Sequence, residues 1–354
     1  MNEKKEKTTI LLAGLVVGLL GALLVLWGNP KNMGFCIACF IRDTAGGLGL
    51  HKAAAVEYIR PEIIGLVFGS FVMALVKKEF QPKGGSAPFT RFVLGFAVMV
   101  GCLMFLGCPL RMMLRLAGGD LNALVGLAGF VAGILAGVFF LNKGYSLKRS
   151  YKMPTLEGAA FPVVQVALLV LLVAAPAFIL FSEEGAGPGA MHAPIAIALI
   201  AGLVVGALAQ RSRLCMVGGL RDLIMFKETK LVLGFAAIFA ACLAANVCIG
   251  NFKLGFADQP VAHTAHVWNF LGMALVGLGS VLLGGCPMRQ LILAGEGNTD
   301  SAITVVGYAV GAAFCHNFGL ASSAKGPTSA GEVAVILGLV VCAVIGFANV
   351  TKEE

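Results

Sequence analysis

The sequence predicts an all-α integral membrane protein of about ten transmembrane helices in two inverted repeats, with re-entrant or half-helix segments carrying cysteine motifs. Three observations predict it. Hydrophobic residues make up 58% of the 354 residues and charged ones 12%, with a mean hydropathy of +0.91, a balance foreign to soluble domains. The apolar stretches are continuous and about 20 residues long, enough to cross a bilayer as helices and unlike the alternating segments of a barrel. Finally, Gly107-Cys108-Pro109-Leu110-Arg111 returns as Gly285-Cys286-Pro287-Met288-Arg289, and Cys36 with Arg42-Asp43 returns as Cys215 with Arg221-Asp222. The paired cysteines are 72 positions apart in the first copy and 71 in the second.

Taken in order, a charged start at Met1–Lys7 leads into an apolar run over 9–27, read as a first helix because Leu26-Trp27-Gly28-Asn29-Pro30 offers no small-residue cleavage site. Residues 31–59 are too polar and glycine-rich to span and too apolar for a plain loop. A re-entrant segment fits them, since irregular backbone at membrane depth is tolerated when buried in protein. The second helix is expected over 61–76 and the third over 92–107. Cys108-Pro109 stops the third, because proline suits the first turn of a new helix better than the interior of an old one. A short helix then starts at Cys108 and Gly118-Gly119-Asp120 ends it, before a fourth long helix over 121–141. Residues 145–157 form a basic loop, and 161–181 form the fifth helix. The second half follows with helices over 193–209, 231–249, 267–285 and 301–318, and a tenth over 333–348 has no partner in the first half. Residues 1–150 therefore form the first membrane repeat, 151–190 a linker with its helix, 191–325 the second repeat, and 326–354 an additional helix.

Five spans separate the first helix from its counterpart, and an odd offset means inverted topology, with a site near the midplane where the repeats meet. If 161–181 did not cross, the repeats would be parallel instead. With the N-terminus inside, most of the 26 Lys and Arg fall in cytoplasmic loops, so both termini are expected in the cytoplasm. Topology accounts for the net charge of +8, which gives no reason to expect nucleic acid as a partner.

The duplicated motifs carry the chemistry. A cysteine at a helix start faces free backbone N–H groups and the positive end of the helix dipole. Arg111 and Arg289 cost about 2.5–3.5 kcal/mol each on insertion scales at the bilayer centre, which suggests a function. Thiols are soft, weak donors, suited to an anion that presents sulfur or selenium. Cys108, Cys286, Cys215 and Cys36, with Arg111 and Arg289, are therefore the candidate substrate-binding and pathway residues. Gly107, Pro109, Gly285 and Pro287 support the helix breaks, and Arg42-Asp43 and Arg221-Asp222 read as internal structural pairs. Cys102, Cys242, Cys248, Cys315 and Cys342 read as core. His263 and His266 lack nearby carboxylate or thiol ligands, so no metal is expected. No phosphate-binding loop and no acidic residue in the middle of a span is present to name an energy source. No cofactor is expected.

The duplicated Gly-Cys-Pro-x-Arg, with the Phe35-Cys36 and Leu214-Cys215 segments, resembles the bacterial YeeE/YedE family of membrane proteins over nearly the whole chain. Residues 34–43, from Gly34 through Cys36-Ile37-Ala38-Cys39 to Asp43, look like the YedE branch associated with selenium metabolism. The family implies uptake of a thiosulfate-like ion through a narrow path lined by Cys108, Cys286, Cys215 and Cys36, in the bacterial inner membrane; the branch implies a selenium compound instead. The expected function is thus a transporter, and not an enzyme, for a small sulfur or selenium anion. Two alternatives stay open. One is a membrane thiol redox or sulfur-transfer protein using Cys36 and Cys39, although Gly218 stands where a second Cys39 would fall. The other is a scaffold that hands sulfur or selenium to a cytoplasmic carrier protein, with or without transport.

Overall fold

A computed structural model describes residues 3–350. Its helices are α1 (Glu3–Leu26), α2 (Ile37–Gly47), α3 (Pro61–Val76), α4 (Pro88–Phe105), α5 (Pro109–Ala117), α6 (Asn122–Asn142), α7 (Thr155–Ala174), α8 (Ile195–Ser212), α9 (Met216–Phe226), α10 (Lys230–Cys248), α11 (His266–Leu283), α12 (Pro287–Gly295), α13 (Thr299–Asn317) and α14 (Ser329–Ala348). Strand structure is confined, among the described residues, to Lys83–Gly84 paired antiparallel with Tyr151–Lys152 and a few isolated bridges. The chain is an all-α integral membrane protein: among the described residues nine candidate spans are long and apolar enough to cross. Helix α13 is the tenth long helix and is not among those nine. It carries Asp300, Ser301, Thr304 and Tyr308 as fully or almost fully buried residues, so its polar groups face protein.

Each long helix lies within a few residues of its expected place. The largest shift is in α7, which begins at Thr155 and ends at Ala174, some six residues before the expected 161–181. Pro162 lies inside this helix rather than near its start, and Pro176 follows its end, where Ala175 adopts a left-handed conformation.

Small residues let the helices approach backbone to backbone, the usual packing where lipid supplies no hydrophobic drive. A Cβ added at Gly129 or Gly133 of α6 would stand 2.0 Å from the carbonyl oxygens of Phe270 and Ala274 in α11. Gly65 and Gly69 of α3 lie equally tight against Leu199 and Leu203 of α8. Contact positions advance together along both chains in these pairs, so each pair is parallel. Helices α4 and α11, which hold the same place in the two halves, behave oppositely: Gly101 lies on Gly272, whereas Gly279 lies on Val98 and Leu94. They are antiparallel. Gly28, just beyond α1, likewise meets His192 and Ala193, just before α8. The halves therefore run in opposite senses, and the parallel alternative is excluded.

The short helices α2, α5, α9 and α12 start inside this frame and end at its faces. Ala117, closing α5, accepts from Asn246 at the end of α10. Glu296, just past α12, accepts from the Gln81 amide beyond the end of α3. The N-termini of α2 and α5 thus point inward from the face where α1 ends, and those of α9 and α12 from the face where α1 begins.

Candidate functional site

Every one of the four short helices begins on a motif cysteine. Cys36 is the N-cap of α2 and its sulfur accepts the Cys39 N–H at 3.3 Å; Cys215 is the N-cap of α9 and accepts the Gly218 N–H at 3.3 Å. Cys108 and Cys286 are the N-caps of α5 and α12, each followed by proline at the first helical position. Proline fits there because its missing N–H has no intrahelical partner to lose. Gly107 and Gly285 stand directly before, packed against the Arg111 and Arg289 side chains, where a Cβ would stand 2.9 Å and 3.0 Å from them.

The helix starts meet in pairs. In the first half the Cys36 and Cys108 thiols lie close together at the starts of α2 and α5. In the second half the Cys215 thiol lies 3.9 Å from that of Cys286, at the starts of α9 and α12. Each thiol pair thus stands where two helix N-termini converge, so two sets of amide dipoles favour negative charge at one point. All four cysteines are buried and free.

The arginines differ. Arg111 is fully buried, and its N–H groups are taken by the carbonyls of Asn32 (2.9 Å), Val261 (3.0 Å) and Leu106 and by the Cys39 sulfur (3.2 Å). It braces the first thiol pair by tying α5 to two surface loops. Arg289 retains slight exposure, pairs with Glu296 at 3.1 Å, and lines a cavity of about 120 Å³ with Arg213, Lys83 and Glu79. Cys39 explains the difference in part, because Gly218 gives Arg289 no thiol to bond.

On the opposite face a cavity of about 230 Å³ runs from Lys31, Asn32, Lys253 and Gln259 to Gly34 and Leu114. Its inner end lies two residues before Cys36. Each thiol pair therefore has a basic cavity on its own side of the protein.

Arg42 pairs with Asp43 (2.6 Å) and Arg221 with Asp222 (2.7 Å). Sequence reasoning missed Arg60, which bonds the other Asp43 oxygen at 2.8 Å, and the fully buried Arg115–Asp120 pair at 2.6 Å. Cys102, Cys242, Cys315 and Cys342 are core residues, but Cys248, at the end of α10 where the helix leaves its packing, is exposed. Among the described residues no group of three His, Cys, Asp or Glu side chains could hold a metal ion. His51 and His263 lie outside the spans and bond to the carbonyls of Arg42 and Met104. Burial pushes both imidazoles below their ordinary pKa, so they are neutral and offer an anion no charge.

Residues 211–351, which hold Cys215, Cys286 and every helix from α9 to α14, match the family model described as sulphur transport. The chain is also similar to the thiosulfate transporter TsuA of Spirochaeta thermophila, 30% identical over 114 residues, and to the thiosulfate transporter TsuA of Escherichia coli, 29% identical over 120 residues. These alignments take in 32% and 34% of this chain and span 34% of each relative's length. The sulphur-transport match begins at the end of α8, inside the second repeat, and the first half carries the same cysteine motifs in duplicate.

Proposed function

We propose that this protein carries a small sulfur oxyanion with a soft terminal atom, thiosulfate or its selenium analogue, across the bacterial inner membrane. The observation that carries the reading is the convergence of helix N-termini on two thiol pairs, one in each half. Such a site attracts an anion without a fixed positive charge at the point of contact. Neutral thiols donate weakly to the soft atom, so each pair binds and also releases, as conduction requires. The basic cavities at the two faces gather the ion: Lys31 and Lys253 on one side, Arg213 and Arg289 on the other. The attracting role belongs to these residues rather than to Arg111, which is fully buried and already makes four hydrogen bonds within the protein. The sulphur-transport match and the TsuA names support the substrate class, while selenium rests on the resemblance of residues 34–43 to the YedE branch. A cytoplasmic sulfur or selenium carrier would accept the ion from the Arg289 side.

The test is uptake of labelled thiosulfate and selenite into liposomes containing the purified protein, with Cys108→Ser and Cys286→Ser singly and together. Serine is close in size to cysteine and is a favoured N-cap residue, so the fold is retained while the soft donor is lost. Uptake by the wild type that falls at least tenfold in each single variant supports the path, and competition ranks the two anions. Normal uptake in the double variant, or no uptake together with a persulfide on Cys36 by mass spectrometry, sinks the proposal.

A further inference from the structure

Tyr308, in the middle of α13, is fully buried, and its hydroxyl has no hydrogen-bond partner among the described residues. A buried phenol normally finds a partner, so an orphaned one calls for an explanation. Its surroundings give one. Tyr308 belongs to the same buried cluster as Cys36 and Cys108 of the first half and Cys215 and Cys286 of the second, and its helix α13 packs against both α2, which starts at Cys36, and α12, which starts at Cys286, so it bridges one helix of each thiol pair. The repeat sharpens the point. Gly129-Phe130-Val131-Ala132-Gly133 and Gly307-Tyr308-Ala309-Val310-Gly311 are counterparts, with Phe130 and Tyr308 each 22 positions after the motif cysteine of its half. Both rings are fully buried, so packing is served by phenylalanine and the hydroxyl is an addition. A second pair repeats the pattern: six positions before the motif cysteines stand Cys102 and Ser280, and the Ser280 hydroxyl is also buried without a partner.

We propose that the Tyr308 hydroxyl donates to the oxygen end of the anion as it passes between the two thiol pairs, and so selects a sulfur oxyanion over a soft anion without oxygens. This rests on the thiol-lined path proposed above and names the specificity of that path. The division of labour follows from donor chemistry. A thiol is a weak donor suited to a polarisable sulfur or selenium atom, whereas a phenol O–H is a strong donor suited to a hard oxygen. An ion with one end of each kind satisfies both, and Tyr308 loses its orphan status only while the ion is present.

The experiment compares wild type with Tyr308→Phe, using labelled thiosulfate uptake into liposomes and thermal unfolding in detergent. Losing one hydrogen bond to a charged group should raise the half-saturating thiosulfate concentration about tenfold. Inhibition by thiocyanate, which has soft sulfur and no oxygen, should stay unchanged, so selectivity falls by the same factor. Without anion the variant should melt at or above the wild-type temperature, because only an unpartnered hydroxyl is removed; with thiosulfate its stabilisation should be smaller than the wild type's. Wild-type uptake with an unchanged half-saturation and thiocyanate ratio in the variant overturns this inference alone. A large loss of stability without anion also overturns it, since the hydroxyl would then be structural. Wild type that neither takes up thiosulfate nor is stabilised by it overturns the path and this inference together.

Discussion

Four fully buried or nearly buried arginines shape the first half, and each is held by a partner within the protein. Arg42 and Arg60 close on Asp43, Arg115 closes on Asp120, and Arg111 is held by carbonyls and a thiol. Arg115 also donates to the Phe105 carbonyl at 2.7 Å and lies 4.2 Å above the Phe105 ring, so it fixes the turn between α4 and α5 that presents Cys108. Removing one member of a buried pair leaves an uncompensated charge, at a cost of about 3–5 kcal/mol. Asp120→Ala should therefore unfold at a clearly lower temperature in detergent, while Arg115→Met combined with Asp120→Leu should recover much of the loss. An unchanged melting temperature in Asp120→Ala would show that the pair contributes nothing. The Arg42-Asp43 pair was legible because its members are adjacent in a duplicated motif. Arg60 was not, because nothing in the order of residues shows that the chain returns 17 positions later to the same carboxylate. Arg111 could be read as a charge in an apolar setting, but the carbonyls of Asn32 and Val261 that absorb it come from loops whose folding leaves no periodic signal.

Among the elements, the short helices were the most readable and the tight helix pairs the least. Gly-Cys-Pro predicts a break and a fresh helix from local chemistry alone, and α5 and α12 begin where it says. The 47 glycines of the chain are compatible with close packing, yet their number cannot say which faces meet, because that depends on the antiparallel match of whole halves. The α6–α11 contact shows the dependence well. The Cβ of an alanine at Gly133 would stand 2.0 Å from the Ala274 oxygen, and a main-chain carbonyl cannot step aside as a flexible side chain would. Overpacking of this kind costs roughly 1–3 kcal/mol. Gly133→Ala is expected to lower the melting temperature and folded yield, whereas alanine at Gly250, a loop position with nothing within 4 Å of the added atom but a left-handed backbone, should cost about 1 kcal/mol or less. Equal losses at the two positions would mean that backbone contact between α6 and α11 is not what holds the halves together.

For the whole molecule, the duplicated motifs and the odd number of spans between them were enough to anticipate two halves of opposite sense, and α4 against α11 shows that sense directly. Gly218 for Cys39 was legible from the short motif, but Tyr308 for Phe130 is visible only when the two copies are set side by side over their full length. In the path proposed above, those departures from symmetry set the selectivity, and the orientation of the chain decides which thiol pair the ion meets first. Several structural contacts place both ends of the chain on one face. Glu6 near the start of α1 pairs with Lys230 at the start of α10, and Val350, just beyond α14, bridges to Tyr145 after α6. Helix α6 is parallel to α11 and so antiparallel to α4, which means that it ends on the face where α4 begins and α1 begins. That face also carries Lys77, Lys78, Lys143, Lys148, Arg149, Lys152, Arg211, Arg213 and Lys227, whereas the opposite face carries Lys31, Lys52, Lys253 and Lys325. By this bias we propose that the richer face is the cytoplasmic one. A C-terminal fusion to a fluorescent protein that matures only inside the cell should therefore glow, and a fusion to a phosphatase that is active only outside should be silent. The reverse pattern would place Arg289 and its cavity outside, and the ion would then meet the Cys215–Cys286 pair first.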